Sequence, residues 1–213
     1  MRYLDLTQTM SPEMPVYPGT EQPQFITGCT IEEHGFKELE ITMYSHTGTH
    51  IDSPAHLFHH GITLDFLPVE HFIGGGLVVD CSHLANGEQI SMKLLLPLKE
   101  ELARVDFVLL YTGWGEKWGQ QDYFIGFPGL TPEAAQFLTG FPLKGVGIDA
   151  ISVELVTTGN LAVHQILLER NIIIIENLTN LDKLINRTFA FSCLPLKIAG
   201  ADGSPVRAVA GLT

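Results

Sequence analysis

Apolar positions in the second half of the chain fall into short unbroken blocks. Residues 107–112 form one such block, the pattern of a strand buried on both faces. Residues 145–149 and 172–176 form two more, the last dense in β-branched isoleucine. Helical segments separate them. Thr131 as N-cap, Pro132 at the first position and Glu133 in the first turn open a helix over 131–138. A second helix covers 161–170, closed by Asn171, and 91–102 reads as a third. The first half differs. Residues 3–9 and 38–44 alternate apolar with polar, 25–31 reads as a further strand, and Pro12, Pro15, Pro18 and Gly19 make an irregular loop. A strand over 77–80 is entered through Gly74, Gly75 and Gly76. Towards the end, 180–185 reads as a short helical turn, and 189–194 and 205–210 as the last strands. Strands first, then buried strands interleaved with helices, predict an α/β or α+β domain whose strands are partly parallel and covered by helices.

Composition narrows the class. The 213 residues suit one domain, and neither repeat nor linker divides 1–213. Hydrophobic residues at 45% against 17% charged exclude disorder as the chain's main character. Twelve Lys and Arg against 24 Asp and Glu give a formal charge of -12, which removes any general attraction for nucleic acid or an anionic membrane. The longest apolar runs are strand-length, well short of the roughly 20 residues of a membrane helix. Residues 1–10 lack the unbroken apolar stretch of a signal peptide. Cys29, Cys81 and Cys193 form no C-x-x-C pair, as expected of free thiols in a reducing compartment. A soluble cytoplasmic protein is the expectation.

One stretch carries chemistry. Residues 45–60 read SHTGTHIDSPAHLFHH and hold five of the nine His, with an Asp among them. His46, His50, Asp52 and His56 are all even-numbered, so in an extended chain they point to one face. Gly48 and Pro54 argue against a helix here. Two imidazoles and a carboxylate converging from a strand end or tight loop suit zinc, manganese or iron. His164 in the 161–170 helix and Glu176 at the end of the 172–176 strand form a second candidate pair. A Glu closing an apolar strand is costly to bury unpaired, and strand ends are where α/β proteins place their sites. Gly74-Gly75-Gly76 has neither nucleotide-binding glycine spacing, so it reads as a place where the chain turns.

His46-Thr-Gly-Thr-His50-Ile-Asp52-Ser-Pro54-Ala-His56 resembles the H-x-G-T-H-x-D-x-P-x-H motif of the cyclase family of metal-dependent hydrolases, which includes bacterial kynurenine formamidases and is similar to isatin hydrolases. The likeness extends to Asp5-Leu-Thr-Gln, Tyr17-Pro-Gly, Thr112-Gly-Trp, Gly147-Ile-Asp149 and Ala201-Asp-Gly-Ser-Pro-Val-Arg207. It implies a single-domain layered β/β/α fold. It implies two zinc ions per subunit, with manganese or iron as alternatives: His46, His50 and Asp52 on one, Asp52, His164 and Glu176 on the other. It implies His56 as catalytic acid/base, Tyr17 at the substrate, and a homodimer or larger oligomer acting on a small molecule. The leading substrate is an aryl formamide such as N-formylkynurenine. Formamidases of this kind carry Trp where this chain has Tyr17, so isatin-like lactams and other cyclic amides stay open, as do a dehydratase or cyclase reaction and a non-catalytic metal-binding role.

Overall fold

The computed structural model describes residues 2–155 and 159–212; of the span 1–213 read as one domain, the remaining residues lie outside the description. Among the described residues one nine-stranded sheet organises the chain. Its centre is parallel: β5 (Ile73–Asp80), β6 (Phe107–Tyr111), β7 (Gly145–Ile148) and β8 (Ile173–Glu176) lie side by side in that order. Antiparallel wings complete it. β9 (Phe189–Ser192), β11 (Val209–Leu212) and β1 (Arg2–Asp5) extend one edge, and β4 (His50–Asp52) and β10 (Gly203–Pro205) the other.

The parallel strands are apolar throughout because both faces are covered. In β6, Val108 and Leu110 face a cluster that includes Leu138, Val163 and Leu167, contributed by α4 (Pro132–Leu138) and α5 (Ala162–Leu168). Phe107 and Leu109 face the other way, into a cluster with Ile51, Phe189, Phe191 and Ala210 from the antiparallel wings. Helices thus cover one face while the curled sheet packs on its own other face, the layered β/β/α arrangement expected.

Local signals explain most elements. Thr131 Oγ accepts from Ala134 N at 3.2 Å and caps α4. Asn171, with φ 55°, ends the segment after α5. The expected 91–102 helix is broken into α2 (Met92–Leu95), a 3-10 turn over Leu96–Leu98 and α3 (Lys99–Leu102), because Pro97 removes a backbone donor in the middle. Gly74 to Gly76 lie inside β5 rather than before it, with Asp106 and Phe189 packed over them. The expected 205–210 strand is two strands, β10 and β11, joined by a link at Val206 to Ala208. β2 (Gln24–Cys29) and β3 (Glu38–Thr42) pair only with each other, and every residue of β3 is exposed despite its alternation.

Candidate metal centre

β4 is inserted between β8 and β10, and register does the first positioning. His50 lies opposite Glu176 on β8 and opposite Pro205 on β10; Asp52 lies opposite Gly203. His50 and Asp52 share a face of β4, as their even spacing predicts. Strand parity does not place His46 or His56. Gly48 adopts φ +68°, which turns the chain before β4 and swings His46 back over the site. A side chain at Gly48 would also meet Met10 Cγ at 3.1 Å. His56 ends a one-turn 3-10 helix, Pro54–His56, so a helical turn does form here, with Pro54 at its start where the missing N–H costs nothing.

The candidates nonetheless converge. His46 Nδ1 lies 2.6 Å from Asp52 Oδ1, and His50 Nε2 lies 3.3 Å from the same oxygen. On the other side of Asp52, His164 Nε2 is 3.7 Å from Oδ2 and 3.3 Å from Glu176 Oε1. His50 Nε2 stands 3.5 Å from Glu176 Oε2. Candidate ligand atoms of His46, His50 and Asp52 lie within 4.8 Å of one another, as do those of Asp52, His164 and Glu176 and, at the rim, those of His46, His56 and Asp202. Asp52 belongs to the first two groups. His56 sits at the rim, its ring centroid 4.1 Å from that of His46 and 6.4 Å from that of His164. Tyr17, with Gly19, Thr20 and Tyr44, lines a cavity of about 550 Å³ that opens onto these side chains.

Two residues that sequence reasoning did not single out complete the arrangement. Glu154 Oε1 accepts from both the backbone N and the Nδ1 of His164, at 3.0 and 2.6 Å. Asp202 Oδ2 meets His46 Nε2 at 2.9 Å and His56 Nδ1 at 3.5 Å. The third imidazole is held by main chain: His50 Nδ1 donates to Gly48 O at 2.8 Å, and Asn177 Nδ2 donates to the same carbonyl. Each of the three histidines therefore has one ring nitrogen occupied and the other turned toward Asp52 or Glu176, the division of labour that outer hydrogen bonds impose on metal-binding histidines.

Charge makes the same point. Asp52 and Glu176 are buried, and among the described residues no Lys or Arg lines the cavity. Burial pulls the pKa values of His46 and His164 down, yet the surrounding carboxylates win and raise both to about 10. The chief opposing influences are the charge of Asp52 on His46, and the hydrogen bonds to Glu154 and Glu176 on His164. Asp52, despite complete burial, is held well below the usual carboxylate range by His46 and His50. The carboxylates thus demand positive charge at this point, which protons supply in the absence of a cation. His/carboxylate donors with that demand fit a divalent cation. Burial keeps the His56 pKa below the ordinary imidazole value, so its ring is neutral near pH 7.

Fold and centre together define a mixed α/β protein with a divalent-metal centre at its strand ends. A family model described as Putative cyclase matches residues 4–155. A kynurenine formamidase of Geobacillus thermodenitrificans is 33% identical over 208 residues, covering 97% of this chain and 95% of that one. One from Bacillus anthracis is 32% identical over 209 residues, covering 98% and 96%. Among solved structures, isatin hydrolase A from Labrenzia aggregata superposes with a TM-score of 0.90 at 28% identity, covering 100% of this chain and 94% of that one. A protein of Bacillus stearothermophilus described as a predicted metal-dependent hydrolase does so at 0.81 and 28%, covering 98% and 97%. The chain belongs to the cyclase family. No helix among the described residues is long and apolar enough to cross a membrane.

Proposed function

We propose that the whole chain, 1–213, is one catalytic domain that hydrolyses an amide bond of a small molecule, with an aryl formamide such as N-formylkynurenine as substrate. The observation that carries this reading is the pair of ligand groups sharing Asp52, with His56 outside both of them at the cavity rim. His46, His50 and Asp52 would hold one divalent cation and Asp52, His164 and Glu176 the other, with zinc best suited to this nitrogen-and-carboxylate set. A cation bound there supplies a Lewis acid and a water acidic enough to be deprotonated near neutral pH. The chain's own residues do the rest. His56 donates Nδ1–H toward Asp202 and keeps Nε2 as a base that takes the water's proton and returns it to the leaving nitrogen. Tyr17, 41% exposed on the cavity wall, offers its ring face to a planar substrate.

Relatives named kynurenine formamidase favour the formamide; the higher superposition on an isatin hydrolase supports a second reading, ring opening of an isatin-like lactam, which asks the same chemistry of the site. The same reading makes the protein cytoplasmic, a compartment in which its three free thiols would stay reduced.

We further read the protein as a homodimer or larger oligomer. The β2–β3 hairpin leaves Ile26, Leu39 and Ile41 about half exposed on a two-stranded sheet, and such a sheet is marginally stable alone in water. Sedimentation equilibrium tests this directly: a monomer at micromolar concentration contradicts it.

Elemental analysis and turnover of N-formylkynurenine and isatin test the catalytic reading. About two equivalents of metal and formamide cleavage are expected. His56→Ala should keep the metal and lose roughly 10²–10⁴-fold in turnover. A wild-type protein with substoichiometric metal and no amide hydrolysis ends the proposal, and metal loss in His56→Ala makes that residue a ligand instead.

A further inference from the structure

We infer that Asp202 is a positioning residue that fixes His46 to coordinate through Nδ1 and aims His56 at the same centre. The inference rests on the reading of His46, His50 and Asp52 as a metal-binding group. The two ring nitrogens of His46 meet different carboxylates. Nδ1 faces inward to Asp52 Oδ1 at 2.6 Å, and Nε2 faces outward to Asp202 Oδ2 at 2.9 Å. Asp52 is buried at the centre of both ligand groups, whereas the Asp202 side chain is 42% exposed at the cavity rim. A cation between His46, His50 and Asp52 must take the inward nitrogen, so the outward one must carry the proton, and a carboxylate is the acceptor that holds it there. His50 and His164 have the opposite sense, each donating from Nδ1 and turning Nε2 to the centre.

Asp202 is itself held on both sides. Ser45 Oγ donates to its Oδ1 at 3.0 Å, which directs Oδ2 to the imidazoles. Its carbonyl accepts from Ser53 N and Ser53 Oγ at 2.8 and 2.9 Å, so its backbone is tied to the residue that starts the His56 turn. Next in sequence, Gly203 lies directly against the His46 ring: a methyl there would stand 2.6 Å from His46 Cε1. The missing side chain at 203 and the carboxylate at 202 together define one ring position for His46. The same Oδ2 reaches His56 Nδ1 at 3.5 Å, so a single oxygen links a ligand histidine to the rim histidine.

The test uses the full-length protein and zinc or cadmium alone. Asp202→Asn offers an amide of the same shape without the charge. It should weaken metal binding 10–100-fold in chelator competition while lowering the melting temperature of the metal-free protein only slightly, because the rim pair with His46 is partly exposed and screened. Gly203→Ala should weaken binding as well, by pushing the ring aside with the carboxylate intact. Wild-type metal affinity in Asp202→Asn overturns the inference. If Asp202→Asn does not fold, the wild-type protein decides: with ¹¹³Cd bound and histidines ¹⁵N-labelled, coupling to His46 Nδ1 with Nε2 protonated is the expected signature. Coupling to Nε2 would place the cation among His46, His56 and Asp202 and overturn it. A wild-type protein that binds no metal stoichiometrically would instead remove the reading on which the inference stands.

Discussion

The two halves of the centre share Asp52 but differ in their access to water. On one side His164 and its partner Glu154 have side chains only 5% and 4% exposed, packed at the start of α5 against the parallel strands. On the other, His46 and Asp202 are 23% and 42% exposed, beside His56 and the open cavity. A carboxylate–imidazole pair in the dry half works at low dielectric, where a lost partner leaves an unpaired charge; the same pair at the rim is partly screened. The dry half is therefore suited to retention and the wet half to exchange and chemistry. That difference is open to experiment. Asp52→Ala strikes what the halves share and has the largest expected effect: loss of all bound metal by elemental analysis and no detectable turnover. One equivalent retained with activity would show that the halves do not depend on a common carboxylate.

Glu154→Ala separates the halves. It removes the acceptor of His164 Nδ1 and of the His164 backbone N–H in a buried place, so we expect a loss of about 3–5 kcal/mol in denaturant unfolding, with release of one equivalent of metal. The rim variant Asp202→Asn, by contrast, should cost the metal-free protein much less, because its pair with His46 is partly exposed and screened. Equal destabilisation by both would erase the distinction between dry and wet.

The two halves also titrate together. In the metal-free protein His46 and His164 have pKa values raised to about 10 from an ordinary 6.5. A raised folded-state value stabilises fully below the unfolded value and is lost as pH rises through the folded one, so metal-free stability should decline between about 6.5 and about 10. Metal must displace those same protons and binds better as they leave. The gap in melting temperature between loaded and metal-free protein should therefore widen over this range. A gap independent of pH would mean that the histidines are not proton-loaded without metal.

The site was legible where chemistry is dense and local. Five His and an Asp within sixteen residues mark the wet half and the shared carboxylate, and the apolar strand ending in Glu176 marks the dry one. Geometry was legible only in part. Strand parity relates His50 to Asp52, but His46 is placed by a left-handed turn at Gly48 and His56 by a 3-10 turn, which parity does not describe. Glu154 carries no such mark, and Asp202 carries only its place in the segment from Ala201 to Arg207 that belongs to the family likeness. They are two of 24 acidic residues, and Asp202 reaches the centre only because β10 pairs with β4 across some 150 positions of sequence. The fold shows the same division. Buried parallel strands and the capped helix α4 follow from their own residues, whereas the alternation of β3 suggests a half-buried strand and finds none of its residues covered within the chain.

The smallest expected effect lies at the cavity wall, and it separates binding from catalysis. Tyr17 contributes a ring to the wet side without belonging to either ligand group. Burial first, then the charges of Glu176 and Glu154, raise its phenol pKa, so the hydroxyl stays protonated near neutral pH and takes no proton from the reaction. A ring that only stacks on substrate contributes about 0.5–1.5 kcal/mol beyond its area, which amounts to a few-fold in binding. Tyr17→Leu should raise KM by that much with kcat and metal content unchanged, and Tyr17→Phe should restore KM. A fall in kcat in both variants would instead give the hydroxyl a part in the chemistry and move the working boundary of the wet half outward, from His56 to the loop that carries Tyr17.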